Sequence, residues 1–129
     1  MFKTEPMIYL LDDDSSFVNA LSSLLQANGF ATRGFTSVDD FMQGHDPDCP
    51  GCLVLDVHMP GVTGLDLHAT LAARGIARSV IFVTAHYDSC LCEQAMKAGA
   101  VAVLPKPVRR RELLTAIGEA LRKDAERRT

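Results

Sequence analysis

Short apolar runs alternate with amphipathic stretches from one end of the chain to the other. Met7 to Leu11 reads as a buried strand, and Ser15 to Asn28 as a helix with Phe17, Val18, Leu21, Leu24 and Leu25 on one face. Asp14 or Ser15 can cap that helix and Gly29 stops it. A weaker strand, Ala31 to Phe35, precedes a short helix carrying Val38, Phe41 and Met42. Cys52 to Val57 is the most continuous apolar run of the first half, the pattern of a central parallel strand covered on both faces. A third helix follows from Gly64 to Arg74, a fourth strand from Val80 to Val83, and a fourth helix from Ser89 to Ala98, closed by Gly99. The fifth strand is Val101 to Leu104. The last helix, Arg109 to Arg122, buries Leu113, Leu114, Ile117 and Leu121. Residues 1–122 are thus expected to form one domain, and 123–129, "KDAERRT", the start of a linker or tail.

Five strands alternating with five helices imply an α/β fold with a parallel sheet, right-handed crossovers and helices on both faces. In such sheets ligands gather at the carboxyl ends of the strands, near the point where strand order reverses. Those ends carry Asp12 and Asp13 after the first strand, Asp56 on the third, Thr84 after the fourth and Lys106 after the fifth. The second strand ends in nothing comparable. Three carboxylates, a hydroxyl and an ammonium, scattered along the sequence, therefore meet at one edge.

Hard carboxylate oxygens without nearby His or Cys partners suit Mg²⁺, which keeps several waters and takes one or two carboxylates plus phosphate oxygens. Bringing Asp12, Asp13 and Asp56 together should raise at least one carboxyl pKa in the metal-free state, so bound metal and stability should be linked. Phosphoryl transfer asks for an in-line nucleophile and positive charge on the equatorial oxygens. A carboxylate nucleophile, Mg²⁺ and Lys106 supply these, and Thr84 can hydrogen-bond a phosphoryl oxygen.

Composition narrows the choice. With 129 residues, 47% apolar and 22% charged, the chain holds one core but not two. A net charge of -3 argues against this segment gripping nucleic acid by itself, since phosphate binding needs a basic face. No apolar run approaches the ~20 residues that cross a bilayer, and Met1 to Pro6 holds no signal-peptide core. A cytoplasmic protein without membrane contact is expected.

"LLDDD", "LDVHMPGVTG", "VTAH", "AMKAGA" and "LPKPV" stand in the order and spacing of one family. Together they make the chain resemble a receiver domain of two-component response regulators, of the CheY-like superfamily, over almost its whole length. The resemblance implies a flavodoxin-like (βα)5 fold, a three-layer sandwich with strand order 2-1-3-4-5. It assigns Asp56 as phosphoacceptor, Asp12 and Asp13 as the acidic metal pair, and the backbone carbonyl of His58 as a further Mg²⁺ ligand. Thr84, Ala85 and Lys106 match the phosphoryl-binding and switch positions, with Pro107 as a cis-type proline, while Asp14 is left as a helix cap. His86 stands where the family tunes water access to the phosphoryl group. One departure matters: an aromatic residue usually stands three positions before the lysine, and here that position is Val103. The switch is then expected to be reported by the loop and helix around Ala85 to Leu91.

The implied function is that of a phosphoacceptor rather than an enzyme: a histidine kinase donates to Asp56, and the surface of the fourth helix, fifth strand and fifth helix changes a partner contact. The same surface is where the family forms phosphorylation-promoted homodimers. "GCLVLDVHMPG" and "AMKAGA" resemble receivers of the NarL/FixJ kind, which usually precede a helix-turn-helix, so DNA contact is expected only through an output module outside these residues. A stand-alone receiver is the alternative. A haloacid-dehalogenase-type phosphatase would need a second acid where His58 stands, and a phosphorylation-independent adaptor would need an incomplete site.

The remaining features favour plain readings. Cys49 and Cys52 precede the third strand whereas Cys90 and Cys92 follow the fourth, so ~15 Å of strand, at ~3.3 Å per residue, separates the pairs. A Zn–S bond of ~2.3 Å forbids one shared thiolate site. A redox Cys-x-x-Cys should open a helix rather than lead into a strand. His45, His58, His68 and His86 share no ligand spacing and read as surface or loop residues. Gly61 and Gly64 read as loop punctuation, and Arg109, Arg110 and Arg111 as a solvated helix start.

Overall fold

A computed structural model describes residues 5–128; Met1 to Thr4, read above for a signal core, and Thr129 lie outside the described residues. The element order is β1 (Met7–Leu11), α1 (Ser15–Ala27), β2 (Ala31–Phe35), α2 (Val38–Gly44), β3 (Gly51–Asp56), α3 (Gly64–Ala73), β4 (Ser79–Thr84), α4 (Ser89–Lys97), β5 (Ala102–Pro105) and α5 (Arg110–Arg128). All strands pair in parallel, in the order β2-β1-β3-β4-β5.

Every residue of β3 and β4 is buried, as their unbroken apolar runs require when helices cover both faces. Alternate strand residues feed the two faces of the one sheet, so the single domain packs an apolar layer on each side. Ile8, Leu10, Cys52, Val54, Ile81 and Val83 pack with Leu21, Leu25, Leu113 and Ile117 of α1 and α5. Tyr9, Leu11, Leu53, Leu55, Val80 and Phe82 pack with Phe41, Leu67, Leu71 and Leu91 of α2, α3 and α4. Cys52 belongs to the first layer; it is fully buried, and burial pushes its thiol up to about 12. The cysteines are free thiols, and no cysteine takes part in a metal-competent cluster among the described residues.

At the amino end of the sheet the last helix, expected to end at Arg122, runs on through residues 123–128. Asp124, on the turn added to the helix, is 2% exposed. It accepts from Gly51 N at 3.0 Å and from Arg128 Nε at 2.8 Å, and pairs with Arg127 at 3.4 Å and buried Arg78 at 3.7 Å. Arg128 also donates to the carbonyls of Pro47, Asp48 and Cys49, bolting the end of α5 to the loop before β3. A charged sequence without an apolar stripe forms ordered helix there because its buried carboxylate is met by three guanidinium groups, one of them the buried Arg78.

His45, expected as a surface or loop residue, stands in the loop after α2 and is half-buried there. Its ring stacks on Phe41 at 4.9 Å, stands edge-on to Tyr9 at 4.7 Å, and its Nε2 accepts from Arg78 Nε at 2.9 Å. That bond requires a neutral imidazole; burial and the adjacent guanidinium hold the pKa at about 4, below the ordinary 6.5. The unfolded chain binds this proton more readily than the fold, so the contribution is complete above pH 6.5 and is lost as pH falls toward 4. The melting temperature is expected to fall between pH 6.5 and 5, and His45→Gln, which still accepts from Arg78, should shallow that slope. Identical slopes in thermal denaturation would contradict the assignment.

Candidate functional site

The carboxyl ends of β1, β3, β4 and β5 form a shallow acidic edge. Parallel pairing sets Leu11 beside Leu55 and Asp56 beside Val83, so the residues following β1 and ending β3 reach the edge at one level. Asp12 is 2% exposed and Asp56 4%, while Asp13 faces solvent. One carboxylate oxygen from each of the three lies within 4.8 Å of the others.

Local structure holds each group in place. Asp14 caps α1, its Oδ1 accepting from Ser16 N at 3.0 Å and Phe17 N at 3.3 Å, and its own N–H donates to Asp12 Oδ1 at 2.9 Å. The triple aspartate is thereby divided into two ligand candidates and one cap. After β3 the chain folds back: His58 N donates to Asp56 Oδ1 at 3.3 Å, and Gly64 N to Val57 O at 2.9 Å. Gly64 is more than loop punctuation, because a Cβ there would stand 2.4 Å from Asp56 O. The start of α3 packs against the backbone of Asp56 and needs the missing side chain.

Lys106 Nζ lies 2.6 Å from Asp12 Oδ2 and 3.7 Å from Asp56 Oδ1, with the Lys106–Pro107 bond cis. The ammonium thus sits closer to the metal-pair candidate than to the expected acceptor. Burial raises the Asp56 pKa first, and Asp12 and Asp13 add to it; Lys106 and the His58 N–H oppose without cancelling. That is the coupling expected of carboxylates crowded around an acceptor position for a cation.

Thr84 is fully buried, and its Oγ1 accepts from His86 N at 2.9 Å. Ala85 and His86 are exposed. Val103 is partly buried against the core of α2, α3 and α4 and brings no aromatic ring to the edge. Sequence reasoning missed two contacts here. The His58 and His86 rings meet edge-on at 5.3 Å although they carry no ligand spacing. Lys106 Nζ also sits 4.3 Å from the centroid of Phe17, a residue whose only sequence signal was its place on the apolar face of α1.

The donor set fits Mg²⁺: three hard carboxylates converge, two of them nearly buried, and no imidazole or thiol joins the cluster. The edge can therefore hold a divalent ion between buried carboxylates and beside an ammonium.

The family model for the response regulator receiver domain matches residues 8–118. Nodulation protein W of Bradyrhizobium diazoefficiens is 39% identical over 125 residues, covering 97% of this chain and 55% of that protein. Response regulator protein TodT of Pseudomonas putida is 40% identical over 123 residues, covering 95% and 54%. The chain spans about half the length of the curated relatives it matches. Among solved structures, response regulator StyR superposes with a TM-score of 0.89 at 40% identity over 96% of this chain and 63% of that one. FixJ-N superposes at 0.82 with 31% identity, over 93% and 96%.

Proposed function

Because the chain belongs to the receiver-domain family of response regulators, and within it to the NarL/FixJ type, we propose that it is a phosphorylation switch whose acceptor is Asp56. The observation that carries this reading is the convergence of Asp12, Asp13 and Asp56 within 4.8 Å, with Lys106 reaching both Asp12 and Asp56. Asp12, Asp13, Asp56 and the backbone carbonyl of His58 would hold Mg²⁺. When bound, the ion offsets carboxylate repulsion and draws charge from phosphoryl oxygens.

An Asp56 carboxylate oxygen attacks the phosphorus of a phosphohistidine on a histidine kinase. A P–O bond forms as the P–N bond breaks, and the imidazole keeps the electron pair. Lys106 turns its ammonium to a phosphoryl oxygen, and Thr84 Oγ1 donates to another beside Ala85. The domain does not turn over a substrate; it assists its own phosphorylation and hydrolysis, with exposed His86 tuning the approach of water. TodT is a response regulator and FixJ a transcriptional regulatory protein. By the same reading this receiver controls a DNA-binding output module, and its α4-β5-α5 face forms a homodimer. No helix among the described residues is long and apolar enough to cross a membrane; a cytoplasmic site of action follows from the receiver-domain reading.

Incubation with acetyl phosphate and Mg²⁺ should add one labile acyl phosphate per chain. Continuous turnover would support a phosphatase instead, and no response a phosphorylation-independent adaptor.

The signal leaves the site through Thr84. Its hydroxyl holds the N–H of His86, so turning it toward a phosphoryl group pulls on the loop that leads into α4. With Val103 unable to act as an aromatic rotor, residues 85–91 carry the change. Beryllofluoride with Mg²⁺ should alter amide exchange over residues 85–91 severalfold, against little change over β1. Unaltered exchange there would refute this route.

A further inference from the structure

Lys106 is a long, flexible side chain that must stay at the site while its ion-pair partners change. Its ammonium is shared between Asp12 at 2.6 Å and Asp56 at 3.7 Å, and its side chain is 22% exposed. On the phosphoacceptor reading, both carboxylates acquire other duties: Asp56 becomes the acyl phosphate, and Asp12 binds Mg²⁺. Neither can then hold the ammonium as it does in the resting protein.

Phe17 has no such second duty. Its ring centroid lies 4.3 Å from Lys106 Nζ, inside the range in which an aromatic face attracts a cation. The ring is set in the first turn of α1, where Phe17 N donates to the capping carboxylate of Asp14. Asp14 N in turn donates to Asp12 Oδ1, so ring and carboxylate share one rigid turn. The ring is partly buried against the core beneath α1 and α5, which limits its own motion. A ring face attracts through its quadrupole and demands little direction, so it can hold an ammonium that turns from one oxygen to another. A neutral partner also leaves the charge of Lys106 available for phosphoryl oxygens.

We propose that Phe17 is a positioning residue for phosphoryl transfer: its ring face keeps the Lys106 ammonium at the carboxylate cluster, poised to meet the oxygens of the incoming phosphoryl group. This rests on the phosphoacceptor function proposed above.

Phe17→Leu keeps apolar packing and removes the π face, and Phe17→Tyr restores the face. Phosphorylation by acetyl phosphate with saturating Mg²⁺ should be about three- to tenfold slower in Phe17→Leu, the size of a partly desolvated cation–π contact expressed as a rate. It should return to within about twofold of the parent in Phe17→Tyr. The affinity for beryllofluoride should follow the same order, and Mg²⁺ affinity without phosphoryl analogue should not. Thermal melting of each variant establishes folding. Equal rates in the Leu variant and the parent, or equal losses in the Leu and Tyr variants, would overturn the proposal and leave the receiver reading intact. No label in the parent protein would overturn both.

Discussion

Asp56→Asn is expected to reduce acetyl phosphate-dependent labelling to background while raising the melting temperature of the metal-free protein. The first effect follows from chemistry: an amide has no carboxylate oxygen with which to form the acyl phosphate. The second follows from the carboxyl pKa. Burial, then Asp12 and Asp13, raise it from its ordinary value, so the fold binds this proton more tightly than the unfolded chain does. A raised carboxyl pKa contributes stability at low pH that is lost as pH rises through the folded value. At neutral pH the ionised group therefore costs stability, and Asn removes the cost; each 1 kcal/mol recovered moves the melting temperature by about 4 °C in a domain of this size. Mg²⁺ should stabilise the parent protein, by mass action on the folded state, more than it stabilises the variant. Labelling that persists in Asp56→Asn would end the acceptor assignment. A metal-free melting temperature below that of the parent would show that Asp56 is stabilised by Lys106 rather than strained by its acidic neighbours.

At the opposite pole, Asp124→Ala should destabilise the fold by about 3–5 kcal/mol, the size of effect seen when one partner of a buried charge pair is deleted. The substitution strands Arg78, whose side chain is 1% exposed and whose Nη1 makes no hydrogen bond. It also frees Gly51 N and unpins Arg128. Replacing Arg78 as well, by Met, should recover much of the loss, because an apolar pair leaves no buried charge unmatched. Urea denaturation of the single and double variants measures both terms. A loss under ~1 kcal/mol in Asp124→Ala would mean that water reaches Arg78 and the hub adds little. The rate of phosphorylation should not change, since the hub lies at the amino end of the sheet and the acceptor at the carboxyl end.

These predictions divide along what periodicity can reveal. Runs such as Cys52–Val57 and Val80–Val83 announce buried strands by themselves, and β3 and β4 form within a residue or two of those bounds. Asp12, Asp13, Asp56, Thr84 and Lys106 were readable as a group because parallel strands share one carboxyl edge, whatever their separation in sequence. Of that group, Asp12, Asp13, Asp56 and Lys106 meet at short distances. The end of α5 was not readable. Beyond Arg122 the polar sequence has no apolar stripe, and its order depends on Arg78 and the loop before β3.

The sequence alone determined the alternation of strands and helices, and with it the set of residues brought to one edge, because burial periodicity and parallel connectivity are written locally. Only the tertiary structure decided which partner each group takes: Lys106 nearer Asp12 than Asp56, Phe17 beneath its ammonium, His45 neutral between Phe41 and Tyr9, and Asp124 buried at the end of α5. These choices turn on charges and rings from distant segments meeting where water is excluded, and such pairings leave no periodic trace in the chain.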